Sequence, residues 1–407
     1  MSKIERLIEE LCPDGVEFYK ISDIADTYIG LVTCMTKNYR ENGVLMINNS
    51  NIKEGYFEFK KKIYLDSYFA DKNEHKKNKI GDILTVHTGD VGTSAIINES
   101  LDGCIGFATI TTRIKDKRIN NKFVCALLNS KICKNQIKKM TKGDRNNLNL
   151  KDYNKLLVPV PPLPVQEEIV RILDSFTELK AQLEEELEAR KKQYEYYLKY
   201  LISDNSNSKV INLGEIGEVS MCKRIMKAQT SSIGEVPFYK IGTFGKEPDA
   251  FITKELFLKY KNMYSYPKKG DLLISASGTI GRVVVFDGEP SYFQDSNIVW
   301  IDNDETKVLN KFLYYCYKLY PWRVSNGGTI SRLYNDDIKK TKILIPSLKE
   351  QEQIVDILDR FDKLCNDITE GLPAEIDARQ KQYEYYRDKL LTFKRLEDRE
   401  GIEDERV

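Results

Sequence analysis

Two short strings in the sequence contain residue types that could hold a catalytic metal ion. Pro13-Asp14, followed by Glu58-Phe59-Lys60, imitates the PD…ExK site of nucleases. Pro13-Asp14-Gly15 also fits an ordinary turn, because turns prefer proline, aspartate and glycine. A self-contained nuclease is therefore one interpretation, and a turn is the simpler one.

Motifs for methyl transfer and ATP hydrolysis are missing from the sequence. A base-flipping amino-methyltransferase would carry [DNS]PP[YF], but Pro161-Pro162 lies between Val160 and Leu163. An ATPase would carry GxxxxGK[ST], whereas GDVGTS (89–94) and SGTIGR (277–282) lack the Lys-Ser/Thr ending. We interpret both as hairpin turns in which glycine supplies positive φ. The polar residues around them could also offer donors to phosphate: Thr88, Thr93, Ser275, Ser277, Thr279 and Arg282.

The elements that would position such residues occur twice along the chain. QEEIVRILDSF (166–176) returns as QEQIVDILDRF (351–361), and ARKKQYEYY (189–197) returns as ARQKQYEYY (378–386). GDILTVHTGDVG (81–92) has a weaker counterpart in GDLLISASGTIG (270–281). Because the repeat spans about half the chain, it indicates a duplication and not a solenoid.

Each half ends in a long helix with one apolar seam. Apolar and aromatic residues recur every three or four positions, as in a helix that packs along its length on another helix. A helix from Gln166 to Ile202 would be about 55 Å long. The second copy contains one extra step of four residues, with Gly371 and Pro373 inside it, so it could form two segments. The residues predicted to form this helical frame are Ile169, Ile172, Phe176, Leu183, Leu187, Tyr194, Tyr197, Ile354, Ile357, Phe361, Ile368, Tyr383 and Tyr386.

The part of each half that precedes its helix alternates short strand patterns with a helix. The predicted elements of the first half are strands at 44–48, 82–88, 93–98 and 108–114 and a helix at 121–139. Those of the second half are strands at 236–241, 272–276, 283–286 and 298–301 and a helix at 310–318. We therefore predict an α+β fold with two similar mixed domains separated by two long helices that pack as an antiparallel coiled coil. The predicted boundaries are 1–158 (first domain, with a short N-terminal helix), 159–205 (central helix), 206–345 (second domain), 346–396 (C-terminal helix) and 397–407 (charged tail).

Composition excludes several classes of protein. Eight cysteines without a CxxC pair, and two histidines, predict neither a zinc site nor a disulfide framework. The start has no apolar signal-peptide core and no later stretch could span a bilayer, so we expect a soluble, cytoplasmic protein without a membrane partner. The net charge is only +1, but the charges segregate into an acidic helix around Glu184–Glu188 and lysine-rich stretches at 60–79 and 131–145. Such runs could equally be solvated surface.

Together these features resemble the type I restriction-modification specificity subunits over nearly the whole chain. The resemblance lies in IEELCPDGVEFYKISDIA, the two glycine hairpins, the helix starts PPLPVQEEIVRILD and PSLKEQEQIVDILD, and the final YEYYRDKLLTF. It implies that 15–158 and 210–345 are target-recognition domains, each reading half of a bipartite sequence in double-stranded DNA. It also implies partners: two methyltransferase (modification) subunits and restriction/translocase subunits. S-adenosylmethionine, ATP and magnesium would act in those subunits, so this chain would carry no cofactor and no catalytic residue.

The residues that contact DNA do not follow from the resemblance, because recognition domains diverge to read different sequences. We predict polar or basic residues near loops, since arginine and asparagine can form paired hydrogen bonds with guanine or adenine edges. The candidates of the first domain are Lys37, Asn38, Arg40, Asn49, Asn51, Lys142, Arg145 and Asn146. Those of the second are Lys223, Arg224, Lys227, Thr243, Arg323, Asn326 and Arg332.

Two further functions fit parts of the same pattern. A coiled-coil scaffold that joins two protein-binding domains would use the helices in the same way without nucleic acid. A self-contained modifying or cleaving enzyme would be active as the purified chain. Salt-dependent binding to duplex DNA distinguishes the first from a specificity subunit, and the missing motifs weigh against the second.

Overall fold

The computed structural model describes residues 2–33, 36–141, 147–203, 208–319, 321–322 and 332–396. Its helices are α1 (Lys3–Leu11), α2 (Ile21–Ile24), α3 (Ser67–Lys72), α4 (Asn121–Asn129), α5 (Lys131–Met140), α6 (Leu150–Tyr153), α7 (Leu163–Ser203), α8 (Lys254–Met263), α9 (Asn310–Lys318), α10 (Asn335–Lys340), α11 (Leu348–Asn366) and α12 (Leu372–Leu390).

The strands are short and fall into two similar series. They are β1 (Phe18–Lys20), β2 (Ala25–Ile29), β3 (Tyr39–Arg40), β4 (Val44–Asn48), β5 (Ile63–Leu65), β6 (Ile83–Val86), β7 (Ser94–Ile96), β8 (Ile105–Phe107), β9 (Thr109–Ile114), β10 (Leu157–Pro159), β11 (Lys209–Asn212), β12 (Val219–Met221), β13 (Val236–Tyr239), β14 (Phe251–Ile252), β15 (Leu272–Ser275), β16 (Val283–Val285), β17 (Tyr292–Phe293), β18 (Ile298–Ile301) and β19 (Lys342–Ile345).

The chain forms two compact units. The first unit comprises Met1–Leu183 with Ile376–Val407, and the second comprises Glu184–Glu375. Helix α7 is 41 residues long and contributes its first part to the first unit and its last part to the second. Each unit therefore contains one mixed domain together with segments of two long helices.

The main sheets of the two units have the same strand order. In the first unit the order is β2-β9-β6-β7, and in the second it is β12-β18-β15-β16, with antiparallel neighbours throughout. A parallel pair accompanies each sheet, β4 with β8 and β13 with β17. The first and last strands of each domain also pair, β1 with β10 and β11 with β19. This agreement confirms the α+β class and the internal repeat.

The core of each unit lies where helices cover the main sheet. In the first unit, Ile83 of β6, Phe123 of α4 and Ile169 of α7 share one buried cluster. In the second unit, Phe312 of α9 and Leu358 of α11 belong to the corresponding cluster. Apolar residues buried on both faces explain the uninterrupted strand Ile298–Ile301.

A buried glutamine joins each domain to its long helix. Gln166 accepts a hydrogen bond from Asn120 N (2.9 Å) and donates to the carbonyls of Pro161 (2.7 Å) and Arg118 (3.0 Å). Gln351 makes the same set with Leu309 N (2.9 Å), Pro346 O (2.9 Å) and Lys307 O (3.0 Å). Because both side-chain amides are fully buried, their polar atoms need partners within the protein, and these backbone groups supply them. The glutamine that opens each copy of the repeat therefore fixes the helix to its domain.

The C-terminal helical segment is divided at the position expected from Gly371 and Pro373. Helix α11 begins with a capping box in which Ser347 Oγ accepts from Glu350 N and the Glu350 carboxylate accepts from Ser347 N. It ends at Asn366, and α12 begins at Leu372 with Pro373 in its first turn, where proline is tolerated. A Cβ atom at Gly371 would lie 2.5 Å from Lys363 O, so only glycine fits this break.

Several elements differ from the sequence predictions. The predicted helix 121–139 is two helices, α4 and α5, because Asn129 turns its amide to the backbone of Ser94 and Ser130 caps Leu127 O. Helix α8 was not predicted at all. The frame prediction is wrong for Ile368, which is 81% exposed in the turn between α11 and α12. That residue follows the end of α11, so the helical period no longer applies to it.

Candidate nucleic-acid interface

Three segments of the first unit meet at the end of the β6–β7 hairpin. Asn49 Nδ2 donates to Thr88 O (2.7 Å), and Thr88 Oγ1 donates to Asn147 Oδ1 (2.9 Å). His87 Nδ1 lies 3.0 Å from Thr88 Oγ1. The turn after β4, the hairpin end and the segment at Asn147 thus form one polar cluster at the surface.

The second unit brings corresponding segments together. Ala276 N donates to Asn297 O (2.7 Å) and Leu333 N donates to Ala276 O (2.9 Å). The equivalent bonds of the first unit are His87 N to Ala108 O (3.1 Å) and Leu148 N to His87 O (2.9 Å). The same crossing of three segments therefore occurs in both units.

Strained backbone accompanies this crossing in each unit. Ala108 has φ of 53° and Ser296 has φ of 49°, in the left-handed region that side chains with a Cβ rarely occupy. Such conformations cluster at binding and active sites, where the surrounding structure holds them in place. Sequence reasoning missed both, because neither alanine nor serine favours this conformation.

The hairpin turns themselves are confirmed. Gly89 and Gly92 have φ of 97° and 91°, and Gly278 and Gly281 have φ of 65° and 75°. Most of the polar residues that could have offered donors to phosphate bond within the unit. Thr93 donates to Asp90 (2.8 Å), Ser275 is buried, and Arg282 donates to Phe244 O (2.7 Å). Thr88 and Ser277 lie in the surface clusters, where Ser277 Oγ donates to Asn297 Oδ1 (2.9 Å).

The remaining candidates of the first unit occupy two places. Asn51 Oδ1 accepts from Asn48 N (2.9 Å) and its Nδ2 donates to Glu58 O (3.0 Å), so its amide stabilises the turn beside Asn49. Lys37, Asn38 and Arg40 form a separate group at strand β3. Arg40 donates to the carbonyls of Lys37 (3.0 Å) and Tyr39 (2.9 Å) and lies 3.4 Å from the carboxylate of Asp66.

Two of the predicted residues of the second unit, Arg224 and Lys227, line one cavity. Arg224, Lys227 and Lys240 line a cavity of about 440 Å³ together with the segment 294–297. That segment contains one carboxylate, Asp295, which accepts a hydrogen bond from Arg224 Nε (2.8 Å). Arg332 donates to Ser296 O (2.6 Å), which places a further cation beside that segment. The excess of positive charge suits an anion such as a nucleic-acid phosphate.

Lys223 and Thr243 lie beside this group. Lys223 Nζ is 5.1 Å from the centre of the Tyr264 ring. Thr243 Oγ1 exchanges hydrogen bonds with the backbone of Lys240 and so shapes the turn before Phe244. Lys142, Arg145, Asn146, Arg323 and Asn326 lie outside the described residues. Asn147 and Arg332 border the two stretches that contain them.

The frame residues pack in equivalent pairs within each unit. Phe176 stacks on Tyr386 in the first unit, with ring centres 5.4 Å apart, and Phe361 stacks on Tyr197 in the second, at 5.5 Å. Ile169 and Ile354 are buried, Tyr194 and Tyr383 lie at the helix–domain contacts, and Ile172, Leu183 and Leu187 are half-buried. Ile357 is 41% exposed. The helix segments of the first unit run antiparallel, since Lys180, four residues after Phe176, donates to Gln380, six residues before Tyr386.

An ion pair connects the domain to a helix in each unit. In the first unit Arg387 of α12 donates to Glu54 (2.6 Å), which also pairs with Lys134. Burial opposes the charge on Glu54, but the hydrogen bond from Lys134 and the charge of Arg387 outweigh it and lower the pKa of that carboxyl. In the second unit Lys318 donates to Asp362 (2.7 Å) and to Tyr194 OH (3.0 Å). Burial again opposes the charge on Asp362, and Lys318 lowers its pKa.

The two strings that imitate a nuclease site lie in ordinary local structure. Pro13-Asp14 lies in a turn, closed by Gly15 N donating to Cys12 O (3.1 Å). Glu58 N donates to Asn51 O and its carboxylate lies 3.6 Å from Lys53. Within the ranges described above, histidine, cysteine and carboxylate side chains form no group that could hold a metal ion. The helices among them include none long and apolar enough to cross a membrane.

Comparisons with known proteins agree with the repeat. The family model for the type I restriction modification DNA specificity domain matches residues 13–189 and again 205–378. A putative type I restriction enzyme specificity subunit of Haemophilus influenzae, S.HindORF215P, is 53% identical over 314 residues, which cover 74% of this chain and 81% of that protein. The EcoR124I/EcoR124II specificity subunit of Escherichia coli is 32% identical over 277 residues, covering 63% of this chain and 68% of that protein.

Solved structures share the fold. A chain from work on complex assembly and conformational transition of the type I R-M system superposes with a TM-score of 0.60 at 17% identity, covering 94% of this chain and 98% of that one. The HsdS subunit from Thermoanaerobacter tengcongensis gives 0.55 at 18% identity, covering 94% and 99%. At such identities the likeness concerns the fold alone.

Proposed function

The chain belongs to the family of the type I restriction modification DNA specificity domain, and from this we propose that it reads a two-part sequence in double-stranded DNA. Each recognition domain reads one half. The observation that carries this proposal is the repetition of one surface arrangement, the hairpin end crossed by two further segments, in both units. Two similar readers on one chain suit two half-sites with an unread spacer between them.

The chemistry of the two surfaces supports contact with DNA. Asn49, Thr88 and Asn147 offer amide and hydroxyl groups in the first unit, the types that read adenine edges or bind phosphate. Arg224, Lys227 and Lys240 offer cations in the second. We assign the cations to phosphates, because lysine and arginine at a groove supply the salt-dependent part of binding.

The chain acts as a non-catalytic subunit in this proposal. Two methyltransferase subunits dock on the helical frame and methylate adenine, and restriction subunits join them for translocation and cleavage. S-adenosylmethionine, ATP and magnesium belong to those partners. The complex works in the cytoplasm, where its DNA substrate lies.

Mapping of N6-methyladenine tests the two-part target. The chain is produced with the methyltransferase subunit of its own system in a host without other adenine methylation. We expect methylation at a motif with two fixed parts and a spacer of constant length. Replacing residues 206–345 with the second domain of a relative should change one part of the motif and leave the other unchanged. A single continuous motif, or methylation that does not depend on this chain, contradicts the proposal.

Binding of the complex to duplex DNA at several salt concentrations tests the surface. Arg224→Ala and Lys227→Ala should each weaken binding and reduce the slope of log affinity against log salt by about one. Lys342→Ala is the control, because Lys342 is exposed on β19 beside the helix start. Failure of the complex to bind duplex DNA in a salt-dependent manner would favour the coiled-coil scaffold instead.

A further inference from the structure

One internal ion pair of the first unit connects the helical frame to the segment that carries Asn49. We define the recognition loop as residues 49–58, between β4 and β5. Glu54 lies in this loop and accepts a hydrogen bond from Arg387 of α12 at 2.6 Å. The Arg387 side chain is only 5% exposed. A buried guanidinium requires a counter-charge, and Glu54 supplies the carboxylate to which it donates.

This pairing restricts where the recognition loop can lie. Moving Glu54 away would take from the buried Arg387 guanidinium the carboxylate to which it donates and leave it with Asp388, 3.6 Å from its Nε, which is unfavourable. Lys134 of α5 pairs with the same carboxylate, and Gly55 N donates to Ser94 O at 2.9 Å. The middle of the loop is thus held by α12, α5 and β7 together.

The near end of the loop carries the polar surface cluster. Asn49 donates to Thr88 O at 2.7 Å, and Asn51 closes the loop on itself by donating to Glu58 O at 3.0 Å. A shift at Glu54 would therefore be transmitted to Asn49 through a short segment with few free torsions. The chain of contacts runs from α12 through Glu54 to the surface proposed to meet DNA.

At the position of Arg387 the second unit carries an apolar side chain. The position that corresponds to Arg387 in the repeat is Leu198, which is 7% exposed and belongs to an apolar cluster. An apolar contact has no fixed partner and tolerates small displacements. The ionic connection is accordingly a property of the first recognition domain and not of the fold.

We propose that Arg387 and Glu54 are positioning residues that fix the recognition loop of the first unit and so sharpen discrimination within the first half-site. The proposal rests on the proposed function. It predicts that loss of the pair relaxes the reading of one half-site and leaves the other as it was.

The test uses the full chain in complex with its methyltransferase subunit. Methylation rates are measured on duplexes with the two-part motif and with single mismatches in either half. Arg387→Leu, which takes the residue of the repeat, and Glu54→Gln should raise the rate on first-half mismatches relative to the intact motif by about 3- to 10-fold. Second-half mismatches should keep their native ratio. Arg387→Lys retains the charge and should recover most of the discrimination.

Two further variants separate positioning from stability. Lys122→Met removes another domain–helix ion pair of the same unit, Lys122–Asp174, which does not involve the recognition loop, and should leave both half-sites unchanged. Arg387→Leu combined with Glu54→Leu leaves no buried charge unpaired, so the double variant should recover stability. Its methylation rate on first-half mismatches should nevertheless stay raised.

The possible failures are distinct. A native complex that methylates no two-part motif refutes the proposed function. A native complex that does so, with Arg387→Leu and Glu54→Gln discriminating like the native chain or relaxing both halves equally, refutes the positioning role alone. Relaxation by Lys122→Met to the same extent refutes it as well.

Discussion

The two units share the joint between domain and helix down to individual atoms. Gln166 and Gln351 make the same three backbone hydrogen bonds. Lys122 pairs with Asp174 at 2.7 Å, and at the corresponding positions Lys311 pairs with Asp359 at 3.1 Å. Duplication has therefore preserved the contacts that attach each domain to its helix.

Beyond the joint, the two units place the charges of a second domain–helix ion pair differently. In the first unit the cation comes from the helix, Arg387, and the carboxylate from the domain, Glu54. In the second the cation comes from the domain, Lys318, and the carboxylate from the helix, Asp362. The two units thus keep the same glutamine and Lys–Asp contacts at the joint, whereas the ion pairs closer to the recognition surfaces differ. Attachment to the helices is therefore conserved between the units, and the contacts that support each recognition surface are not.

The largest expected effect tests whether the shared joint is equally important in both units. Gln166→Ala and Gln351→Ala each remove the side-chain partner of three buried or partly buried backbone groups, and we expect each to destabilise its own unit by about 2–4 kcal/mol. Native-state hydrogen exchange, read separately for the two units, measures both losses. Gln193→Ala, on the exposed face of α7, should change stability by less than about 0.5 kcal/mol. The two joints are not equivalent if the two losses differ by more than about 2 kcal/mol, or if either substitution also destabilises the other unit.

A second prediction concerns an added hydrogen bond at the shared ion pair. Tyr315 OH donates to Asp359 at 2.5 Å, whereas the corresponding position of the first unit is Ala126. Asp359→Ala leaves the buried Tyr315 hydroxyl without an acceptor, so we expect a loss of about 1–3 kcal/mol. Asp174→Ala removes only a half-exposed pair and should cost about 0.2–1 kcal/mol.

Combining the change with Tyr315→Phe isolates the cause. In a Tyr315→Phe background, Asp359→Ala should cost no more than Asp174→Ala, as measured by hydrogen exchange in the second unit. A loss that stays large in that background would mean that Asp359 stabilises the unit through other contacts.

The architecture could be predicted from sequence because its signals are local. Strands 44–48 and 298–301 and helix 310–318 have the predicted bounds, since runs of apolar residues of one period define each of them. The repeat itself revealed two similar domains with paired helices. Helix α8 was missed because its lysines and aromatic residues form no clear apolar face in sequence.

The candidate site could be predicted only in part. Asn49 and Arg224 were among the predicted residues and lie in the surface arrangements, whereas His87 and Asn147 were not predicted to bind. The contacts that assemble the cluster join residues 39 and 59 positions apart, and the pair of Arg387 with Glu54 spans 333. Periodicity and turn preference describe neighbours along the chain and contain no information on such distances.

The smallest expected effect is the pH dependence that Glu168 gives to the stability of the first unit. Glu168, 3% exposed, accepts from Arg171 (2.6 Å) and Lys3 (2.7 Å), while the repeat has Gln353 at this position. The hydrogen bond from Arg171 outweighs burial and, with Lys3, lowers the pKa of Glu168 to about 2 from 4.5. Because the folded state lowers this pKa, the carboxylate stabilises the first unit above pH 4.5, and this contribution disappears as the pH falls toward 2.

Glu168→Gln makes the first unit resemble the second at this position and should remove that dependence. Since Lys3 and Arg171 are exposed and screened by water, we expect a loss of about 1 kcal/mol at pH 7. Denaturant unfolding of the first unit measures this loss. The difference in free energy of unfolding between the native chain and the variant should be constant from pH 7 to 5 and should become smaller by pH 3. Glu167→Gln, on the exposed side of the same helical turn, is the control and should unfold with the same free energy as the native chain. An equal difference in free energy of unfolding at pH 7 and pH 3 would mean that Glu168 stabilises the unit through its shape and not its charge. The two units would then differ less at this joint than their sequences indicate.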